Sequence, residues 1–132
     1  MNGTYGFVYS SYNGLGFGVF RVSGSEIVGC DFGGGEYRGQ VTEDAATGEL
    51  NLSFDMFVPV GMPLVQGVSP QEIAYTKPIA FTTPPDFGDG APVKVYISPG
   101  YVTLMIKRIP DEHSVLADGM VVTIKPRGSA AV

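Results

Sequence analysis

Glycine and proline are spread so evenly along this chain that few uninterrupted windows remain for a helix. The 132 residues include 19 glycines and 10 prolines. Both residue types are unfavourable inside α-helices, and a stable helix needs a longer run than the chain offers almost anywhere. The distribution therefore predicts an all-β protein. The length is that of one domain, which can bury a core without disulfides or metals.

Alternation of apolar and polar residues marks the strands of this sheet. The segment GELNLSFDMFVP, residues 48–59, places polar residues between apolar ones over most of its length. This period of two is typical of a strand with one buried and one solvated face. The segments PVKVYI and YVTLMIKRIP repeat the pattern, and the SPG between them is a turn sequence, so we predict a hairpin.

Eight segments of this kind follow one another with short connections, which predicts an eight-stranded antiparallel up-and-down β-barrel, or failing that a two-sheet sandwich. Closing a sheet demands strong coiling, and we expect Gly16, Gly18, Gly29 and Gly39 to permit it within the strands. The longer connection at residues 61–71 is expected to cover one end of the sheet, with a helical turn at SPQEI, residues 69–73.

The predicted barrel domain occupies residues 1–110, and residues 111–132 form a carboxy-terminal extension. This extension is polar at first and then contains MVVTIK, which predicts an extra strand within residues 119–125. Such a strand could cap the barrel, pair with another subunit or be poorly ordered, and the sequence does not choose among these.

Charge and hydropathy exclude several classes of function. The net charge is −5, and the eight Lys and Arg residues are scattered, so nucleic-acid binding is not expected. No segment approaches the roughly 18 apolar residues of a membrane span, and the amino terminus lacks the pattern of a signal peptide. We therefore expect a cytoplasmic protein that does not bind membranes.

Chemistry-bearing residues are few. His113 is the single histidine, and Cys30 is the single cysteine, with the acidic Asp31 beside it discouraging a reactive thiolate. Metal centres and nucleophilic triads need several such groups held together by the fold. We therefore expect no catalytic residues, no metal site and no cofactor, and we predict a non-enzymatic protein.

Two candidate binding sites remain. The first is an aromatic set that forms either an ordinary core or a pocket for a small apolar ligand, because an eight-stranded barrel is just wide enough for one. The second is the acidic pair Glu43 and Asp44 at a predicted hairpin tip, which is either solvated loop charge or a docking element for a basic partner. The residues of the aromatic set are Tyr5, Phe7, Tyr9, Phe17, Phe20 and Tyr37.

Four motifs in the first 55 residues occur in an order that resembles a known family. They are the NGTY sequence at residues 2–5, the Gly-rich strand at 16–22, the IVGCD sequence at 27–31 and the YRG sequence at 37–39. In this order and spacing they are similar to the amino-terminal half of the GrlR family, negative regulators of type III secretion in enteropathogenic bacteria.

The resemblance implies a small lipocalin-like (calycin-like) β-barrel that forms a homodimer. It also implies a regulator that sequesters a transcriptional activator through an acidic Glu-Asp-Glu-Asp loop. Here the matching positions are Glu43, Asp44, Ala45 and Ala46, so half of the acidic motif is present. The leading hypothesis is therefore a diverged GrlR-like regulator that binds a protein partner, and the alternative is a carrier of a small hydrophobic ligand.

Overall fold

The computed structural model describes residues 2–86 and 88–110, which contain eight β-strands and no helix. The predicted extension at 111–132, with its strand at 119–125 and His113, lies outside the described residues. The strands are β1 (Gly3–Ser11), β2 (Gly14–Ser23), β3 (Glu26–Asp31), β4 (Glu36–Glu43), β5 (Leu50–Val58), β6 (Tyr75–Thr83), β7 (Val93–Ile97) and β8 (Gly100–Ile109).

All eight strands belong to one antiparallel sheet in the order β6-β5-β4-β3-β2-β1-β8-β7. The first strand pairs with the last along most of its length, from Thr4 opposite Ile109 to Ser10 opposite Thr103. The edge strands β6 and β7 lie against each other, but no backbone ladder is recorded between these two strands. The sheet is thus a nearly closed barrel with up-and-down order, as in a lipocalin-like barrel, which confirms the predicted fold.

The alternating pattern decides which side chains fill the barrel. On β5 the apolar positions read from the sequence point inward, and Leu52, Met56 and Val58 are almost completely buried. On β8 the inward positions are Val102, Leu104 and Ile106, all buried. The predicted hairpin between β7 and β8 is also present, with its turn at Ser98 and Pro99.

Glycines inside the strands allow neighbouring backbones to approach very closely. A Cβ atom added at Gly18 would overlap the carbonyl oxygen of Cys30 on the next strand, and one added at Gly39 would overlap the backbone of Ser53 and Phe54. Any other residue at these inward-facing positions would push the adjacent strand outward. The strands of a small closed sheet must coil tightly, so glycine is required here for the close approach.

The connection at residues 59–74 covers one end of the barrel, which we call the capped end. Its residues Leu64 and Gln66 are buried, and the carbonyl oxygen of Val65 accepts hydrogen bonds from the side chains of Ser11 and Asn13. The predicted cover is therefore present. The predicted helical turn at residues 69–73 is wrong, because the Gln71 carbonyl instead accepts a 3.0 Å hydrogen bond from the Gly61 amide.

At the opposite end, the Arg108 side chain holds the amino-terminal segment against the barrel. Its guanidinium donates hydrogen bonds to the Asn2 carbonyl oxygen at 2.5 Å and to the Tyr5 hydroxyl at 3.4 Å, and it lies 5.8 Å from the Tyr5 ring centroid.

No helix in the described ranges is long and apolar enough to cross a membrane.

Candidate functional site

The interior of the barrel contains a cavity of about 70 Å³ between the sheet and the capped end. About 10–15 Å³ on this measure is enough for one water molecule, so the space is several times larger than a single water requires. Aliphatic and aromatic side chains make up almost the entire wall. The lining residues are Phe7, Tyr9, Phe20, Ile27, Tyr37, Leu52, Phe54, Met56, Leu64, Gln66, Ile79, Phe81, Ile97, Val102, Leu104 and Ile106.

Aromatic rings form a continuous wall along one side of this cavity. Phe7 meets Tyr37 edge-on at 5.6 Å between ring centroids, Tyr37 meets Phe54 at 5.5 Å, and Phe54 meets Phe81 at 6.0 Å. Edge-to-face pairs of this kind add stability beyond the area they bury. They also fix the orientation of each ring, so this wall is built from side chains held by their neighbours.

A polar cluster surrounds the buried side chain of Asp31, which is not itself part of the cavity lining. The Gly33 and Gly35 amides each donate a 3.0 Å hydrogen bond to Oδ1, within the turn between β3 and β4. The Tyr9 hydroxyl donates to Oδ2 at 2.9 Å, and the Tyr37 hydroxyl donates to the same oxygen at 2.5 Å. Four donors therefore converge on one carboxylate, and two of them belong to side chains that line the cavity. We call Asp31, Tyr9 and Tyr37 the carboxylate–tyrosine cluster.

Glycine on β2 makes this cluster sterically possible. Tyr9 on β1 and Asp31 on β3 are separated by β2, where Gly16 lies opposite Tyr9 and Gly18 lies opposite Asp31. A Cβ added at Gly16 would overlap the tip of the Tyr9 ring. Since no side chain projects inward from these two positions, the Tyr9 phenol can reach across β2 to the carboxylate.

Both tyrosines of the cluster hold their protons firmly. Burial, reinforced by the nearby charge of Asp31, raises the pKa of Tyr9 well above its ordinary value of 10.0. Burial also raises the pKa of Tyr37 far above that value, with further contributions from Tyr9 and Asp31. The two hydroxyls are thus neutral hydrogen-bond donors to Asp31 at any physiological pH.

Gln66 supplies a second polar group at the capped end of the cavity. Its side chain is only 7% exposed and lines the cavity. Its side-chain amide forms no hydrogen bond with another residue in the ranges 2–86 and 88–110. The amide is part of the lining, so a water molecule or a ligand in the cavity can reach it.

The structure brings four of the six residues of the predicted aromatic set together at the cavity. Phe7, Tyr9, Phe20 and Tyr37 line the cavity, while Tyr5 is buried beside it, stacked on Phe20 at 5.2 Å between centroids. The assignment of Phe17 to the pocket is wrong, since this ring is 46% exposed on the outer face. Phe17 and Phe20 are three residues apart on one regular strand, and alternation places them on opposite faces.

The predicted acidic pair lies at the tip of the hairpin between β4 and β5, at the end of the barrel opposite the cap. Both side chains are exposed. Oδ1 of Asp44 accepts hydrogen bonds from the Ala46 amide at 2.8 Å and the Thr47 amide at 3.2 Å. The Asp44 carboxylate therefore stabilises the turn. The Glu43 carboxylate forms no such hydrogen bond with the turn.

Sequence analysis missed two residues of the site, Asp31 and Gln66. The DFGGG sequence at 31–35 carried a usable signal, because an Asp followed by small residues often binds the backbone amides two to four positions ahead. No sequence signal identifies Gln66, because its burial depends on how the long connection folds over the barrel.

Other chemistry in the described ranges is sparse. Partial burial, with the charges of Asp31 and Glu36, raises the pKa of the Cys30 thiol and so disfavours a reactive thiolate. Within residues 2–86 and 88–110 no group of three or more His, Cys, Asp or Glu could hold a metal ion.

Neither a scan against protein-family models nor a search of curated proteins returns a match to this chain. The similarity to the GrlR family therefore remains a prediction.

Proposed function

We propose that this protein is a non-enzymatic binding protein that holds a small, largely apolar molecule inside the barrel. The observation that carries the proposal is the cavity itself, with its wall of aliphatic and aromatic side chains and a few convergent polar groups. Small-molecule sites in proteins have this composition, in which apolar surface supplies affinity and a few polar groups fix orientation.

The polar groups support binding more than catalysis. A general base needs an oxygen or nitrogen that is available to take a proton. Both oxygens of Asp31 already accept two hydrogen bonds each, and Tyr9 and Tyr37 keep their protons. The cluster thus suits recognition of a ligand that stays chemically unchanged.

The gap between β6 and β7 is the access path that we infer for the ligand. Phe81 on β6 and Ile97 on β7 both line the cavity and are half-buried. No backbone ladder is recorded between these two strands, so their separation breaks no hydrogen bonds of the sheet. Opening here costs less than opening any of the seven paired strand boundaries.

Titration with propylbenzene tests the proposal, with native mass spectrometry of freshly purified protein to detect a co-purified ligand. This probe is larger than the closed cavity of about 70 Å³, so its binding requires β6 and β7 to separate. We expect saturable binding that alters tyrosine fluorescence, since the chain has no tryptophan and Tyr9 and Tyr37 line the cavity. Leu104→Phe fills the cavity from within and should abolish this binding. The matched control is Met105→Phe on the outer face of the same strand. No saturable binding by the wild type, or equal binding by Leu104→Phe, would refute the proposal.

A second candidate function is regulation through contact with another protein, favoured by an apolar surface on the outside of the barrel. Val8 lies between Phe17 and Met105 across three neighbouring strands, and Phe17 packs on Phe32 at 4.6 Å between ring centroids. Phe17, Phe32 and Met105 are each more than two-fifths exposed. Exposed contiguous apolar surface marks interaction sites. We call Val8, Phe17, Phe32 and Met105 the outer apolar patch.

For this second candidate we propose that the outer apolar patch joins two copies of the chain. Sedimentation equilibrium should give a dimer for the wild type and a monomer for the double variant Phe17→Ser, Phe32→Ser. The control is Phe57→Ser, because Phe57 is equally exposed but lies on β5, away from the patch. A wild-type mass of 14.0 kDa at all concentrations would contradict dimerisation. If a protein partner binds through the acidic loop, Glu43→Lys should weaken its binding, because the substitution reverses the charge at that position.

A further inference from the structure

We propose that the ligand is an apolar ammonium ion, bound with its charged group against the carboxylate–tyrosine cluster and its apolar part along the aromatic wall. This inference rests on the proposed binding of a small molecule in the cavity and adds the chemical class of that molecule. It follows from the charge of the cluster, the direction of its hydrogen bonds and the nature of the surrounding wall.

The charge of the cluster is negative and is not balanced from within. Asp31 is 5% exposed, and its four hydrogen-bond donors are two backbone amides and two neutral phenols. None of the Lys and Arg side chains in residues 2–86 and 88–110 forms an ion pair with Asp31, including Lys77 on the inward face of β6. Buried charges are ordinarily paired, so a cation in the adjoining cavity would complete this site.

The direction of the hydrogen bonds selects a donor. The hydroxyls of Tyr9 and Tyr37 both donate to Oδ2 of Asp31 and also interact with each other, so the capacity that is left on the phenol oxygens is to accept. A ligand that meets these oxygens must therefore donate hydrogen bonds, which an ammonium group does and a carboxylate does not. The Gln66 side chain, which also lines the cavity, carries a further carbonyl acceptor.

The wall of the cavity suits a cation with an apolar body. Ammonium groups are attracted to the faces of aromatic rings, and this attraction grows where water is excluded. Phe7, Tyr37, Phe54 and Phe81 present such rings in succession. The remaining wall is aliphatic and suits a hydrocarbon or aryl group. An alcohol would satisfy the phenol oxygens but would leave the charge of Asp31 unbalanced.

Four probes of similar size and different polar groups test the inference by calorimetric titration at pH 7. They are 2-phenylethylamine, which is protonated at this pH, 2-phenylethanol, phenylacetate and propylbenzene. We expect the amine to bind roughly tenfold or more tightly than the alcohol and propylbenzene, because hydrogen bonds to a charged group are the stronger ones. Phenylacetate should bind weakest. Equal affinities of propylbenzene and the amine would overturn the inference.

Variants of the cluster separate a direct role from a structural one. Tyr9→Phe and Tyr37→Phe should each lower the affinity for 2-phenylethylamine roughly tenfold and change that for propylbenzene by less than about twofold. Tyr12→Phe is the control, since Tyr12 is 99% exposed. Unchanged amine affinity in both cluster variants would overturn the inference. Binding of none of the four probes to the wild type would instead overturn the proposed function itself.

Discussion

Replacing Asp31 tests whether the carboxylate organises the capped end of the barrel. In Asp31→Ala the Gly33 and Gly35 amides and the Tyr9 and Tyr37 hydroxyls all lose their acceptor. In Asp31→Asn, one oxygen remains for the two amides, and the side-chain NH₂ can donate to the phenol oxygens after the hydroxyls rotate. The two substitutions are similar in position but should differ strongly in cost.

The cost can be worked out from the burial of each bond. The bonds from Gly35 and Tyr37 are buried, and an orphaned buried donor costs about 1–3 kcal/mol. The bonds from Gly33 and Tyr9 lie nearer solvent and contribute about 0.5–1 kcal/mol each. We therefore expect Asp31→Ala to lower the free energy of unfolding by about 3–8 kcal/mol, and Asp31→Asn by about 1–2 kcal/mol. Even the lower end for Asp31→Ala is a large part of the roughly 5–15 kcal/mol that stabilises a domain of this size.

Urea unfolding followed by circular dichroism measures these differences. Asp55→Ala is the control, because Asp55 faces solvent on β5 and its removal should change stability by less than about 0.5 kcal/mol. Equal losses for Asp31→Ala and Asp31→Asn, or a loss below about 1 kcal/mol for Asp31→Ala, would refute the argument that four hydrogen bonds converge on this carboxylate.

Three further predictions concern the tyrosines and the glycines. Because the folded-state pKa of Tyr37 lies far above 10.0, the folded protein keeps a proton that the unfolded chain loses, so stability should fall as pH rises above about 10. Urea unfolding between pH 9 and 11.5 should show that Tyr37→Phe makes this slope shallower by about 1.4 kcal/mol per pH unit, and an unchanged slope would contradict the burial of this phenol. Gly39→Ala should lower the free energy of unfolding by about 3 kcal/mol, because its Cβ overlaps the backbone of the next strand, whereas Gly6→Ala should cost less than about 0.5 kcal/mol. Equal effects of these two alanines in urea unfolding would argue against tight coiling at Gly39. Gly16→Ala should displace the Tyr9 ring and break its bond to Asp31, visible as a large change in the Tyr9 ring signals by NMR, and unchanged signals would contradict the crossing of β2 by this side chain.

Most of the barrel could be predicted from local sequence. Strict alternation on β5 and β8 identifies the inward face of each strand, since side chains on a strand alternate between two faces. Short turn sequences such as SPG then place consecutive strands next to each other in antiparallel order. The conformation of the connection at 59–74 is harder to predict from sequence. Its hydrogen bonds join residues such as Gly61 and Gln71, which no local sequence pattern pairs.

The candidate site was predictable only in part, because it depends on register across several strands. Tyr9, Asp31 and Tyr37 come from β1, β3 and β4, and the cluster exists only because two glycines on β2 leave its inner face bare. Sequence analysis recognised the glycines as a requirement of curvature but not as space for a side chain. Phe17 lies outside the site for a simpler reason. It is three residues from Phe20 on β2, and residues separated by an odd number on a strand lie on opposite faces.

The central claim, that the barrel interior is a binding site, is tested most directly by NMR contacts between bound propylbenzene and the methyl groups of the protein. The account predicts nuclear Overhauser effects to Leu52, Ile79 and Leu104, whose side chains line the cavity. Effects confined to Leu15 and Val28, which are exposed on the outer face, would contradict it.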